Sequence, residues 1–149
     1  MNIDPEHRLS QINSEVKQFH PILNKLFKKM SSVTHVEYTH GSDERGADFI
    51  LERTDSLLNE TSNVGIIAKI GNIGLKDLAV LCMQIDQCKL DRPFKSARQK
   101  IHLNEIWIVT NGTISHKSEE AIFEKYRNQN IHFISKDKLI ELITKVFPS

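Results

Sequence analysis

A single α/β domain built on a mixed sheet, with elements in the order αβββαβαβα, is the fold class this sequence predicts, and three observations predict it. Apolar residues recur at helical spacing across residues 12–30. Three β-forming segments then follow in close succession, separated by turn chemistry. After them, helical stripes alternate with short β-forming runs at 105–110 and 131–134, the pattern of strand-to-strand crossovers through helices.

The first helix, 12–30, carries its stripe at Val16, Phe19, Ile22, Leu23, Leu26, Phe27 and Met30. Pro21 lies inside it and removes a backbone donor, so the helix either kinks there or restarts with Pro21 in its first turn. Residues 34–38 alternate weakly and read as a strand, followed by the two-glycine loop His40-Gly41-Ser42-Asp43-Glu44-Arg45-Gly46. A second strand spans 48–52, the polar stretch 53–63 is the hairpin connection, and a third strand spans 64–70. Asp48 and Lys69 thereby fall on neighbouring antiparallel strands.

Gly71-Asn72-Ile73-Gly74 ends that strand, and Leu75, Leu78, Leu81, Cys82, Ile85 and Cys88 carry a second helical stripe. Residues 90–103 are assigned no element. Glu105-Ile106-Trp107-Ile108-Val109-Thr110 is nearly continuous β-forming sequence, as a strand buried on both faces requires, and Asn111-Gly112 closes it. A helix opens at Ser115 or Lys117 and runs to Asn128 with Ala121, Ile122 and Tyr126 inward; a strand at 131–134 and a helix at 136–147 complete the chain. A meander followed by two crossovers places helices on both faces of one sheet.

The 149 residues match one domain, 1–149, with 39% hydrophobic and 26% charged residues near the globular average. The longest apolar runs are too short to cross a bilayer, and Met1-Asn2-Ile3-Asp4 does not read as a secretion signal, so a cytoplasmic location is expected. Cys82 and Cys88 have no metal-ligand spacing and are expected to be reduced packing residues. A net charge of +1 neither demands nor excludes nucleic acid. The stretch 89–100 holds Lys89, Arg92, Lys95, Arg98 and Lys100 against the single acid Asp91, which suits either phosphate contact or an ordinary solvated loop.

Among the weaker signals, His35 and His40 flank the loop before Asp48, where a surface polar role outweighs a chemical one. His116 follows Ser115 without an acid partner at a recognisable spacing, which argues against a Ser/His hydrolase, and no glycine-rich phosphate loop is present. Trp107 reads as core, and Ser115, Lys117 and Ser118 as a helix start.

Asp48 and Lys69 carry the chemistry. Asp48 follows a loop whose glycines let backbone approach a bulky ligand, and Lys69 sits in the otherwise apolar Gly65-Ile66-Ile67-Ala68-Lys69-Ile70, where a charge needs a partner or a task. In metal-assisted phosphodiester cleavage a carboxylate holds the cation and a lysine orients nucleophile or phosphate. A structural salt bridge between the two residues accounts for the same pattern.

The sequence resembles the Mrr-type branch of the PD-(D/E)xK restriction-endonuclease-like nucleases, particularly the amino-terminal domains of large anti-phage NTPases. The resemblance runs through Glu37-Tyr38, the loop 41–48, Val64-Gly65-Ile66-Ile67-Ala68-Lys69-Ile70-Gly71, Met83-Gln84-Ile85, the segment 105–115 and Ile131-His132-Phe133-Ile134. It implies an αβββαβ sheet core, Mg²⁺ (or Mn²⁺) dependence and cleavage of double-stranded DNA. It also implies a homo-oligomer and a fused or associated NTPase or sensor domain. The metal ligands it implies are Asp48 and the side chain two before the lysine, and the Ala68 backbone carbonyl can serve as a further ligand. The position two before the lysine is Ile67, which has no oxygen to offer where relatives place Glu, Asp or Gln.

Substitute ligands are sought at Glu52, on the Asp48 face of its strand, at Asp77 and at Gln84. Relatives also carry an acid on the first helix; Glu15 lies upstream of the region expected, which holds Phe19-His20-Pro21. Two functions therefore stand side by side: a Mg²⁺-dependent DNA endonuclease acting as an anti-phage effector, and a pseudo-nuclease that keeps the fold for DNA binding or protein interaction.

Overall fold

The computed structural model describes residues 4–39, 45–95 and 99–148. Its five-stranded sheet has the order β1-β2-β3-β6-β7, formed by β1 (Val33–Tyr38), β2 (Phe49–Asp55), β3 (Glu60–Lys69), β6 (Glu105–Thr110) and β7 (Asn130–Ile134). The first three strands are antiparallel and the last three parallel, so β3 joins a meander to two crossovers. This is the mixed α/β architecture the sequence predicts.

Side-chain alternation on β3 divides the core. Val64, Ile66 and Ala68 pack with α1 (Pro5–Ser10), α2 (His20–Lys29) and α5 (Lys136–Val146) on one face. Ile67 packs on the other, with Leu81 and Ile85 of α3 (Leu78–Cys88) and Ile122 of α4 (His116–Lys125). Trp107 and Val109 face the first cluster, Ile106 and Ile108 the second, which explains why β6 reads as continuous hydrophobic sequence.

Several boundaries differ from the sequence reading for identifiable reasons. The helix expected over 12–30 is a π-helical turn (Glu15–Phe19) capped by Ser14, running into α2 with Pro21 in its first turn, so the helix restarts rather than kinks. α1 was not expected: its six residues bury only Leu9, too little for a stripe, although Asp4 accepting from Glu6 N–H and Pro5 at the start form a helix-opening signal. The polar stretch 53–63 is mostly strand, because β2 runs to Asp55 and β3 begins at Glu60, leaving a four-residue turn at 56–59. Residues 90–103 contain a separate two-stranded hairpin, β4 (Arg92–Phe94) and β5 (Gln99–Ile101). Ser115 caps α4 by accepting from Ser118 N–H, as its residue type suggests. No helix among the described residues is long and apolar enough to cross a membrane.

Candidate active site

β3 overruns the start of β2, and the site forms at that corner. Phe49 opens β2 opposite Ile66, so Ala68, Lys69 and Ile70 continue without a strand on the β2 side, while β6 still flanks Ala68 and Lys69 on the other. Asp48 sits against this free edge, only 6% exposed. Its N–H donates to the Ile66 carbonyl (2.7 Å) and its carbonyl accepts from Thr39 N–H (2.9 Å), while its Oδ2 accepts from Ala68 N–H (2.9 Å). The N–H and C=O of one strand residue point to the same side, so the Ala68 carbonyl lies on the edge that the Asp48 carboxylate occupies.

The approach to Asp48 is clamped from α3 and β4. Gly46 has φ +87°, and a Cβ there would stand 2.2 Å from the Gln84 carbonyl oxygen, so only glycine lets the loop pass this close to the helix. Arg92 is 1% exposed and donates through Nη2 to the carbonyls of Arg45 (2.9 Å) and Gln87 (3.2 Å), tying the loop to the end of α3. Burial lowers its pKa, offset in part by the neighbouring Cys88, yet guanidinium groups remain charged in proteins. Burial also pushes the Cys88 thiol up to about 11, which keeps it a protonated packing residue. His40 and residues 41–44 lie outside the described residues.

Lys69 is half-buried at the rim of the α3 face. Among the described residues no ion pair includes it, so the Asp48–Lys69 salt bridge that the sequence allowed is not formed. Ile67, two residues earlier on the same face, is 0% exposed and wedged among Ile50, Leu81, Ile85 and Ile108. Its side chain contributes apolar packing where relatives place a ligand.

Of the substitutes, Glu52 is engaged elsewhere. It lies four positions from Asp48, roughly 13 Å of strand rise, and is bridged by Lys95 Nζ (3.1 Å) and by Thr34 Oγ1 (3.0 Å). Burial alone would raise its pKa; hydrogen bonds from Lys95 and Thr34 outweigh this and hold it below the usual carboxylate range. Asp77 accepts from Gly74 N–H (2.8 Å) and closes a capping interaction at the 3₁₀ turn (Leu75–Asp77) before α3. Gln84 differs: its Oε1 is buried without a hydrogen-bond partner among the described residues, on the helix whose backbone presses against Gly46.

Glu15, too far upstream by sequence, is brought to the corner by the π-helical turn. Its Oε1 accepts from Ile70 N–H (3.4 Å). The Ala68 and Ile70 N–H groups lie roughly 6–7 Å apart along one edge, with the Ala68 carbonyl between them. Two carboxylates and one carbonyl thus converge there. Among the described residues no group of three or more His, Cys, Asp or Glu is placed to hold a metal. The available donors are nevertheless all hard oxygens, which suit Mg²⁺ or Mn²⁺ completed by water and phosphate.

Part of the basic stretch is engaged within the protein. Arg92 is buried under its three carbonyl partners, Lys95 is paired with Glu52, and Lys89 pairs with Asp86 (3.6 Å) and lies over the Tyr126 ring. Arg98 lies outside the described residues. His35 packs edge-on against Phe94 and meets Glu37, and His116 faces Glu119 and Glu120, so neither joins the corner.

One of three comparisons shows the family. A family model described as restriction endonuclease, the Mrr catalytic type, matches residues 13–143. The structure titled MspJI restriction endonuclease in complex with a 27-mer oligonucleotide is similar at 15% identity and a TM-score of 0.41, over 83% of this chain and 25% of that one. No curated protein matches the chain. The chain spans about a quarter of that structure's chain, whereas the family match takes in every strand of the sheet and the corner from Glu15 to Lys69, and the chain belongs to the restriction endonuclease family of the Mrr catalytic type.

Proposed function

We propose that the domain is a divalent-metal-dependent endonuclease acting on duplex DNA, and the convergence of Asp48, the Ala68 carbonyl and Glu15 on the free edge of β3 carries this reading. A bound Mg²⁺ or Mn²⁺ supplies a Lewis acid at the phosphate and a lowered pKa for water. Asp48 and the Ala68 carbonyl would hold it, and Glu15 or the Gln84 amide oxygen would supply the donor that Ile67 lacks. Lys69, without a carboxylate partner, orients the scissile phosphate or the attacking water from the α3 side. Arg92 and Gly46 fix the loop that delivers Asp48.

Ile67 supports a second reading, a pseudo-nuclease serving as a DNA-binding or interaction module, because a fully buried isoleucine stabilises the core and contributes no ligand. In either case the domain is proposed to serve anti-phage defence in the cytoplasm as a homo-oligomer, fused to or associated with an NTPase or sensor.

Plasmid cleavage with Mg²⁺ or Mn²⁺ separates the readings. Wild type is expected to nick, and Asp48→Ala and Lys69→Ala to lose nicking. An inert wild type with a cutting Ile67→Glu variant favours the pseudo-nuclease; inactivity of both in an assembled full-length protein removes the nuclease reading.

A further inference from the structure

The segment that brings Glu15 to the corner carries a row of lysines on its outer side. The π-helical turn and α2 form one run from Glu15 to Lys29, which buries Phe19, Leu23, Leu26 and Phe27. Lys17, Lys25, Lys28 and Lys29 are all exposed. Lying eight residues before Lys25 and three and four after it, Lys17, Lys28 and Lys29 share its face of the helix, opposite the buried one. Among the described residues no ion pair includes any of the four, whereas Lys89, Lys95 and Lys136 are paired with Asp86, Glu52 and Glu6.

An ordinary solvated helix accounts for only part of this row. Lys28 and Lys29 occupy the last turn of α2, where the helix dipole favours cations, but Lys17 and Lys25 lie too far from that end. Solvated faces usually mix both signs of charge, as α4 does with Lys117, Glu119, Glu120 and Glu124. In α2 there is no acid at all. The single acid of the run, Glu15, accepts from Ile70 N–H at the corner. Like charges three or four residues apart destabilise a helix, so Lys25, Lys28 and Lys29 oppose one another unless an anion lies over them.

The row starts two residues from Glu15 and leads away from the corner. From Lys17 to Lys29 it extends roughly 18 Å at helical rise, about five steps of 3.4 Å along a DNA strand.

We infer that Lys17, Lys25, Lys28 and Lys29 contact the backbone phosphates of duplex DNA to one side of the scissile phosphate. The inference rests on the reading of the domain as one that acts on duplex DNA. It assigns the principal phosphate-contacting surface to the first helical run rather than to the stretch 89–100. Contacts to phosphate alone carry no sequence information, so this surface binds duplexes of any sequence equally.

The test is anisotropy of a short fluorescein-labelled duplex over a range of salt, with Ca²⁺ at a fixed low concentration in place of Mg²⁺. Wild type is compared with a variant carrying Lys17→Gln, Lys25→Gln, Lys28→Gln and Lys29→Gln together, and with one carrying Arg at the same four positions. Glutamine and arginine match lysine in helix propensity, and thermal unfolding checks that each variant is folded. The control is Lys117→Gln with Lys125→Gln on α4, across the sheet from α2. Neutralising the row is expected to reduce the slope of log K against log salt by roughly 3–4, near 0.9 per phosphate contact, and to weaken binding about tenfold or more at low salt. The arginine variant keeps the wild-type slope, and so does the control.

A wild-type slope in the glutamine variant overturns the inference and leaves the nuclease reading intact. A slope reduction per charge as large in the α4 control also overturns it, because net charge rather than position then sets the binding. Wild type that binds with the full slope but fails to nick plasmid with Mg²⁺ or Mn²⁺ keeps the lysine row as a DNA contact and removes cleavage. Wild type that binds no duplex removes both.

Discussion

Two clusters of charge sit on the same sheet and are built oppositely. Around β2 and the β4–β5 hairpin, charges neutralise one another or fill carbonyls: Glu52 with Lys95, and Arg92 under Arg45, Gln87 and Leu90. At the C-terminal end of β3, Asp48 and Glu15 accept from backbone N–H groups, and Lys69 has no ion-pair partner among the described residues. A charge consumed by another side chain stabilises a fold. A carboxylate fixed by a backbone N–H is held in one orientation without being cancelled by that donor, because the N–H carries no formal charge. Within the basic stretch 89–100, Lys89, Arg92 and Lys95 belong to the first kind.

The comparison is broken most directly at Asp48. Asp48→Asn keeps an acceptor for Ala68 N–H but loses the charge, and cleavage is expected to fall more than about 100-fold, beyond typical outer-shell losses, with little change in the unfolding midpoint. Equal cleavage by the variant would place the site elsewhere. Arg92→Ala is the counterpart in the other cluster. It leaves three carbonyls without their donor and a cavity beneath the loop, for a loss of about 3–4 kcal/mol in urea unfolding. A loss under about 1 kcal/mol would mean that the cluster is not structural.

Ile67→Glu moves one cluster toward the other. Placing a carboxylate in the apolar pocket of Ile50, Leu81 and Ile108 is expected to cost about 2–3 kcal/mol without metal, part of it recovered on adding Mn²⁺. Calorimetry that shows no metal-dependent gain would separate position 67 from the site. The smallest effect belongs to Glu52→Gln, at most about 1 kcal/mol with unchanged cleavage. The folded pKa of Glu52 is held below its ordinary 4.5, so this contribution is present above that value and is lost as pH falls through the folded pKa. The difference between wild type and Glu52→Gln should therefore vanish in acid, which unfolding at a series of pH values checks.

The order of elements along the chain, the meander and both crossovers were legible because β-forming runs and helical stripes differ in period, and that difference survives burial. The strand halves in 53–63 were not, since their residues face solvent and carry turn-like composition. The β4–β5 hairpin was hidden for a related reason: its strands are three residues long. Asp48 and Lys69 stand out by local pattern, and Ile67 only against the family resemblance. Glu15 does not, because 55 residues separate it from Ile70.

The sequence by itself determined most of the elements, their order and the apolar side chain at position 67 of β3, because each depends on residue type and spacing within a segment. Only the tertiary structure decided which charges are already spoken for, since pairing depends on where distant segments meet. The overrun of β3 past β2 exposed the Ala68 and Ile70 N–H groups, and the π-helical turn carried Glu15 to one of them.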